Sequence, residues 1–208
     1  MRVVDAAGNR RFARVEGLME TLRRIVYLIF RPVAEWDAIA MEKTSVDALL
    51  RRYILPLALL APVATVIGMK TFDREWDPVH GFLVPPEQIL AAGTATYFAT
   101  VGSILVLAAI FTLIAPMFGV ARDYRAALKV ATYGAIPVML AGATLLLPVM
   151  AIVAMVGMCH TLFLFWVGVR RVLHIPSEDA AEFVGISLVL LTFLSVLIGA
   201  AGSAVGLL

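Results

Sequence analysis

Charge-free apolar stretches alternate with short charged segments along the chain. Residues 53–69, 89–121, 130–169 and 183–208 contain no Asp, Glu, Lys or Arg. A helix crosses the hydrocarbon of a bilayer with about 20 apolar residues. The first stretch therefore predicts one span, about 53–69, short enough for its ends to sit among headgroups. The second predicts a span over about 89–118, longer than the bilayer needs, so tilted or overhanging. The third is too long for one helix and fits two, about 126–147 and 149–169. Pro148 marks a tight turn between them, because proline cannot continue a helix ladder unperturbed. One long kinked helix, giving four spans, is the alternative. The last stretch predicts a span over about 183–206. The expected fold is all-α: a polytopic bundle of five transmembrane helices, preceded by short cytoplasmic amphipathic helices. Residues 1–52 form the head and 53–208 the membrane domain.

Basic residues decide between four and five spans, since they collect on the cytoplasmic side. Ten Lys or Arg precede residue 53, three lie in 119–129, and Arg170 and Arg171 lie in 170–181, whereas only Lys70 and Arg74 lie in 70–88. Five spans with the N-terminus inside and the C-terminus outside put 15 basic residues in the cytoplasm and two outside. Four spans would carry Arg170 and Arg171 outward. Residues 1–14 are polar and Arg-rich, with no apolar h-region, so the first span is expected to act as its own insertion signal.

Within the head, residues 1–12 read as disordered. From about Ala13 to Phe30, Val15, Leu18, Met19, Leu22, Val26 and Ile29 recur at helical spacing. This helix either lies in the membrane interface with its arginines near anionic headgroups, or packs on the protein's own loops. Pro32 suits the first turn of a following helix, on which Trp36 is placed as an interfacial anchor. Thr44-Ser45-Val46-Asp47 matches a capping box opening the helix that leads through Arg51 and Arg52 into the first span.

Composition sharpens the class. The 208 residues are 62% apolar and 15% charged, against about 45–50% and about 25% in soluble domains. A mean hydropathy of +0.94 excludes a soluble enzyme and a disordered chain. The net charge of +2 gives no footprint for nucleic acid. The one cysteine, Cys159, excludes an internal disulfide and any CxxC motif.

Ionisable groups inside spans are the default functional candidates in a membrane protein, and the four stretches hold none of the four charged types. His160 is the one mid-span imidazole. It reads as a weak candidate metal ligand or proton relay, or as a neutral side chain hydrogen-bonded across helices. His160 and His174 are about 21 Å apart along a straight helix, too far to clamp one haem, and no cofactor is expected. The hydroxyls Thr94, Thr96, Thr100, Ser103 and Thr112, with Tyr97, give the second span a polar seam. They line a water path, or bond to neighbouring helices or their own backbone; Thr100 and Ser103 are the intramembrane candidates beside His160. Small residues, among them Gly134, Gly142, Gly157 and the Gly199-x-x-x-Ser203 face, favour close helix packing. Pro56, Pro62 and Pro137 are expected to break their helices locally. The loop 70–88, with Trp76, Phe82 and Pro85-Pro86, is expected to rest on the outer interface.

Four stretches resemble the Yip (Ypt-interacting protein) family in its bacterial, stand-alone form. They are Arg31-Pro32-x-x-x-Trp36-x-x-Ile39, the segment SVDALLRRYILPL (45–57), FGVARDYRAALKVATYGAIP (118–137) and LFLFWVGVRRVLHIPSEDAAEF (162–183). The resemblance covers about residues 30–200. It implies a five-span membrane domain with a cytoplasmic N-terminus and no catalytic motif. The GTPase-binding role of eukaryotic members does not transfer to a bacterial chain with so short a head.

The expected function is a non-catalytic, multi-pass protein of the bacterial inner membrane that organises or recruits partner proteins or lipid. A membrane-protein partner or a second copy are the candidates besides the bilayer itself. The expected contact surface is cytoplasmic: Trp36, Arg51, Arg52, Arg122, Asp123, Tyr124, Arg125, Arg170 and Arg171. The alternative is a small transporter or channel for an uncharged or weakly polar solute. No nucleophile, base and orienting group assemble into an enzyme.

Overall fold

A computed structural model describes residues 6–71, 86–146 and 151–204. All the regular elements among them are helical. Five segments are long and apolar enough to cross a membrane: Val46–Gly68, Glu87–Phe118, Tyr124–Thr144, Ile152–Val172 and Ala180–Ala200. Each lies within a few residues of its expected place, except that the first begins seven residues before position 53 and the fifth, among the described residues, ends six before 206. The turn expected at Pro148 and the loop aromatics Trp76 and Phe82 lie outside the described residues.

The head is two helices. α1 spans Ala6–Phe30, so residues 6–12, expected to be disordered, are helical; Ala6, Ala7, Arg10 and Arg11 are strong helix formers. α2 spans Pro32–Met41, with Pro32 in its first turn. The break at Arg31 follows from the proline, which disfavours α geometry in the residue before it.

Three prolines interrupt the spans as expected. The first span begins with α3 (Val46–Leu49). Pro56 has no N–H to return to the preceding turn, and the five residues Leu50–Ile54 widen into a π-turn. The span resumes as α4 (Leu55–Ala58), breaks at Leu59 ahead of Pro62, and continues as α5 (Leu60–Thr71). The second span is α6 (Pro86–Ile114), about 43 Å long at the standard rise. Pro116 ends it in a 3-10 turn, closed by Gly119 at φ 74, a conformation that glycine adopts without strain. The third span is α7 (Tyr124–Gly134), α8 (Ile136–Ala141) and a 3-10 turn over Gly142–Leu146, divided just before Pro137. The fourth is α9 (Ala151–Val172) and the fifth α10 (Ala180–Ala204).

The capping box is displaced by one residue. Ser45, not Thr44, caps α3: its Oγ accepts from Ala48 N–H at 3.2 Å. Asp47 pairs with Arg51 one turn on, at 2.7 Å, and Thr44 Oγ1 is buried without a partner. Two residues past the end of α9, His174 adopts φ 61, and Ile175 N–H bonds back to Val169 C=O at 3.2 Å.

The third span is the centre of the bundle. α7 packs against α6 and α9, α8 against α9, and the following 3-10 turn against α5. Since α7 and α8 both lie along α9, residues 124–172 form two spans and not one kinked helix. α10 packs on α6 and α9 at the periphery. Gly157 gives the close approach expected of it: a Cβ there would stand 2.7 Å from Ala141 Cβ. On α10, a Cβ at Gly199 would meet nothing within 4 Å, so that glycine gives no such close approach.

Candidate functional site

The head does not stand apart from the bundle. One apolar core contains Leu28, Trp36 and Ile39 of the head together with Tyr133, Phe111, Phe165 and Phe183 of the spans. Trp36, expected as an interfacial anchor, is completely buried. The reason lies on α9. Gly168 has no side chain, and a Cβ there would fall 2.7 Å from the Trp36 ring. The indole fills that space and meets Tyr133 edge-on, with ring centroids 6.3 Å apart. Tyr133 in turn meets Tyr53 at 4.9 Å. Truncating so large a buried side chain costs about 3–5 kcal/mol, so this contact alone can fix the head on the bundle.

A polar cluster lies beside Tyr133. Arg24 of α1 pairs with Glu35 of α2 through Nε at 3.1 Å, and also with Glu42 just beyond that helix. Its guanidinium lies 5.8 Å from the centroid of the Tyr133 ring. Burial works against the Arg24 charge. The hydrogen bond to Glu42 and the interaction with Tyr133 outweigh it, and the pKa is raised above the ordinary guanidinium value.

Lys129 of α7 completes the junction. It is buried, and its Nζ donates to Ile39 C=O at 3.2 Å and to Glu42 C=O. These carbonyls lie at the C-terminal end of α2, where a helix leaves acceptors unsatisfied and favours a cation. α2 has no basic residue in its own last turn; Lys129 supplies the charge from another helix. Glu42 thus serves both cations, its carbonyl taking Lys129 and its carboxylate Arg24. Arg171 of α9 adds a more exposed pair with Asp37 of α2 at 2.9 Å.

Lys129 is the junction residue that the sequence does not single out. It lies in the expected third span, about 126–147, but just before the charge-free stretch 130–169, and counts there only among the basic residues of 119–129. Its spacing to Tyr133, one turn away on the same helix face, was the available signal. Arg24, Glu35 and Glu42 carried none, because their meeting depends on how α1 and α2 fold back.

The remaining expected contact residues stay at the surface, apart from half-buried Arg170. Arg51 is exposed beside Asp47, and Arg52 lies 3.9 Å from Glu20. Arg122, Tyr124 and Arg125 are exposed. Asp123 caps α7, accepting from Arg125 and Ala126 N–H at 2.9 and 3.0 Å. Arg170 stacks 4.5 Å over the Trp166 ring.

Within the spans, the expected polar seam turns inward on its own helix. Thr94, Thr96, Thr100, Ser103 and Thr112 each donate to a carbonyl three or four residues earlier. Such bonds satisfy the hydroxyls without any water path. The interhelical hydrogen bond sought at His160 is made by its neighbour. Thr161 Oγ1 accepts from Val138 N–H at 3.0 Å, one of the amides left open where α8 begins. His160 Nε2 is buried without a partner. Among the described residues, no three of His, Cys, Asp and Glu gather to hold a metal ion.

Five apolar spans, a third span threaded through the others and a head welded to their ends define a polytopic helical membrane protein. The chain matches the Yip1 domain over residues 26–200, and it belongs to that family. The match takes in the last five residues of α1, all of α2 and every span, so the head–bundle junction lies within the domain except for Arg24. No curated protein matches the chain. No solved structure matches it either.

Proposed function

We propose that the protein is a non-catalytic organiser of the inner membrane. Its N-terminus is cytoplasmic and its C-terminus periplasmic, and its head recruits partner proteins or lipid. The observation that carries this reading is the two-sidedness of α1. Ile25 and Leu28 are buried against the rest of the molecule, while Val15, Met19, Leu22, Val26 and Phe30 remain exposed. An apolar stripe held open on a rigidly attached helix is a recruiting surface, since apolar faces of this kind mark protein or membrane contacts. The charge bias of the loops supports the orientation.

The test is native mass spectrometry of the full chain taken directly into native-lipid nanodiscs. The expected particle retains a second protein or specific lipid. A bare monomer or homo-oligomer would overturn recruitment, and solute flux into liposomes would then be the assay to run.

A further inference from the structure

The exposed stripe of α1 continues into the first span. A groove of about 540 Å³ is lined by Leu18, Leu22 and Ile25 of α1, by Pro56 and Leu57 of the span, and by Arg51 and Arg52. Pro56 and Leu57 lie in the first charge-free stretch, so one wall of the groove is a membrane-spanning helix. Leu55, Leu59 and Val63 extend that helix as exposed apolar surface. Leu18 and Leu22 extend the other wall along α1. The groove therefore opens where the apolar surface of the bundle meets the first charged residues, at the depth of headgroups.

From this continuity we infer that α1 lies in the plane of the membrane interface. The groove between α1 and the first span holds an anionic phospholipid. Its acyl chain rests against Leu18, Leu22 and Leu57, and its phosphate meets Arg51 and Arg52. Asp47 engages Arg51 through Nε, and Glu20 stands 3.9 Å from Arg52. These carboxylates do not exhaust the arginines. Each guanidinium carries five N–H donors in a fork that matches phosphate geometry. The same guanidinium pair disfavours a headgroup that carries its own cation. The second apolar flank of α1, formed by Val15, Met19 and Val26, then faces acyl chains beyond the groove.

The inference rests on the recruiting function proposed above and names lipid as what the head recruits. The full chain is reconstituted with equal phosphatidylglycerol and phosphatidylcholine, released, and weighed for retained lipid. Wild type is expected to keep phosphatidylglycerol. R51Q/R52Q is expected to keep about tenfold less, the worth of one weak charged hydrogen bond. Equal retention of the two lipids, or equal retention by wild type and variant, overturns the inference. A retained protein without retained lipid also sinks it, but leaves recruitment standing; loss of both sinks the two together. A spin label at Leu22→Cys in a Cys159→Ser background gives an independent readout. Greater accessibility to oxygen than to a polar nickel chelate is expected; the reverse overturns the in-plane placement, whatever the double variant does.

Discussion

The third and fifth spans are of equal length and opposite character. The most apolar 18 residues of Ala180–Ala200 have a mean hydropathy of 2.5 and only 17% of them are buried, whereas those of Tyr124–Thr144 have a mean hydropathy of 1.4 and 72% are buried. In a soluble protein the more apolar helix would be the more buried. Here the order is inverted, because lipid is as apolar as leucine and gives no reason to hide it. A side chain that can hydrogen-bond or carry charge gains most from the protein interior. The third span accordingly holds Lys129, Tyr133 and Thr132, all buried. The fifth span shows Val189, Phe193, Val196 and Ile198 outward. Between these two spans, burial follows the polar residues.

This contrast can be broken most forcefully at Trp36, the side chain by which the head sits on the third and fourth spans. Trp36→Ala is expected to cost about 3–5 kcal/mol. Thermal unfolding in nanodiscs measures the loss, and proteolysis of the head at low protease should quicken with it. Unchanged melting would mean that the polar cluster alone holds the head. Next comes Lys129→Met, which leaves the carbonyls of Ile39 and Glu42 without their cation at an estimated cost of about 1.5–3 kcal/mol. A variant as stable as wild type would show that the buried lysine does not secure α2. Thr161→Val removes the acceptor for Val138 N–H. A loss of about 1 kcal/mol is expected, while His160→Ala, which removes no hydrogen bond at Nε2, should cost less. Reversal of those two would restore His160 as the interhelical link. Smallest is the fifth span itself. Phe193→Leu should shift stability by less than about 0.5 kcal/mol, since lipid contacts replace lipid contacts. A larger loss in nanodiscs, absent in detergent monomers, would place a protein surface against α10.

The spans were legible because a charge is costly in hydrocarbon wherever it lies, so its position along the chain marks where the membrane is not. That rule placed all five spans, including the separate third and fourth. The prolines located the breaks near residues 50–54, 59 and 135, since a missing N–H is a property of one residue. The same rule passed over Lys129, which stands at position 129 just ahead of the charge-free stretch. A lysine is excluded from lipid, not from a span whose neighbours offer it carbonyls. Trp36 was assigned to the interface, where a lone tryptophan is at home; nothing local announces that Gly168 leaves room for it. Thr44 and Ser45 both fit an N-cap, and so do His160 and Thr161 an interhelical bond. Which of each pair serves is decided by helix rotation, and neighbouring residues on a helix point in different directions.

By itself, the sequence determined where the chain crosses the membrane, how often, and which segment forms the head, because transfer into hydrocarbon is close to a sum over single residues. Only the tertiary structure decided that the least apolar span lies at the centre. It also decided that Arg24, Glu35, Glu42 and Lys129 join at the seam between the head and the third span, and that one face of α1 stays open beside the first span. Those outcomes depend on pairs of residues brought together from different helices, and pair energies have no expression along a single chain until the helices pack.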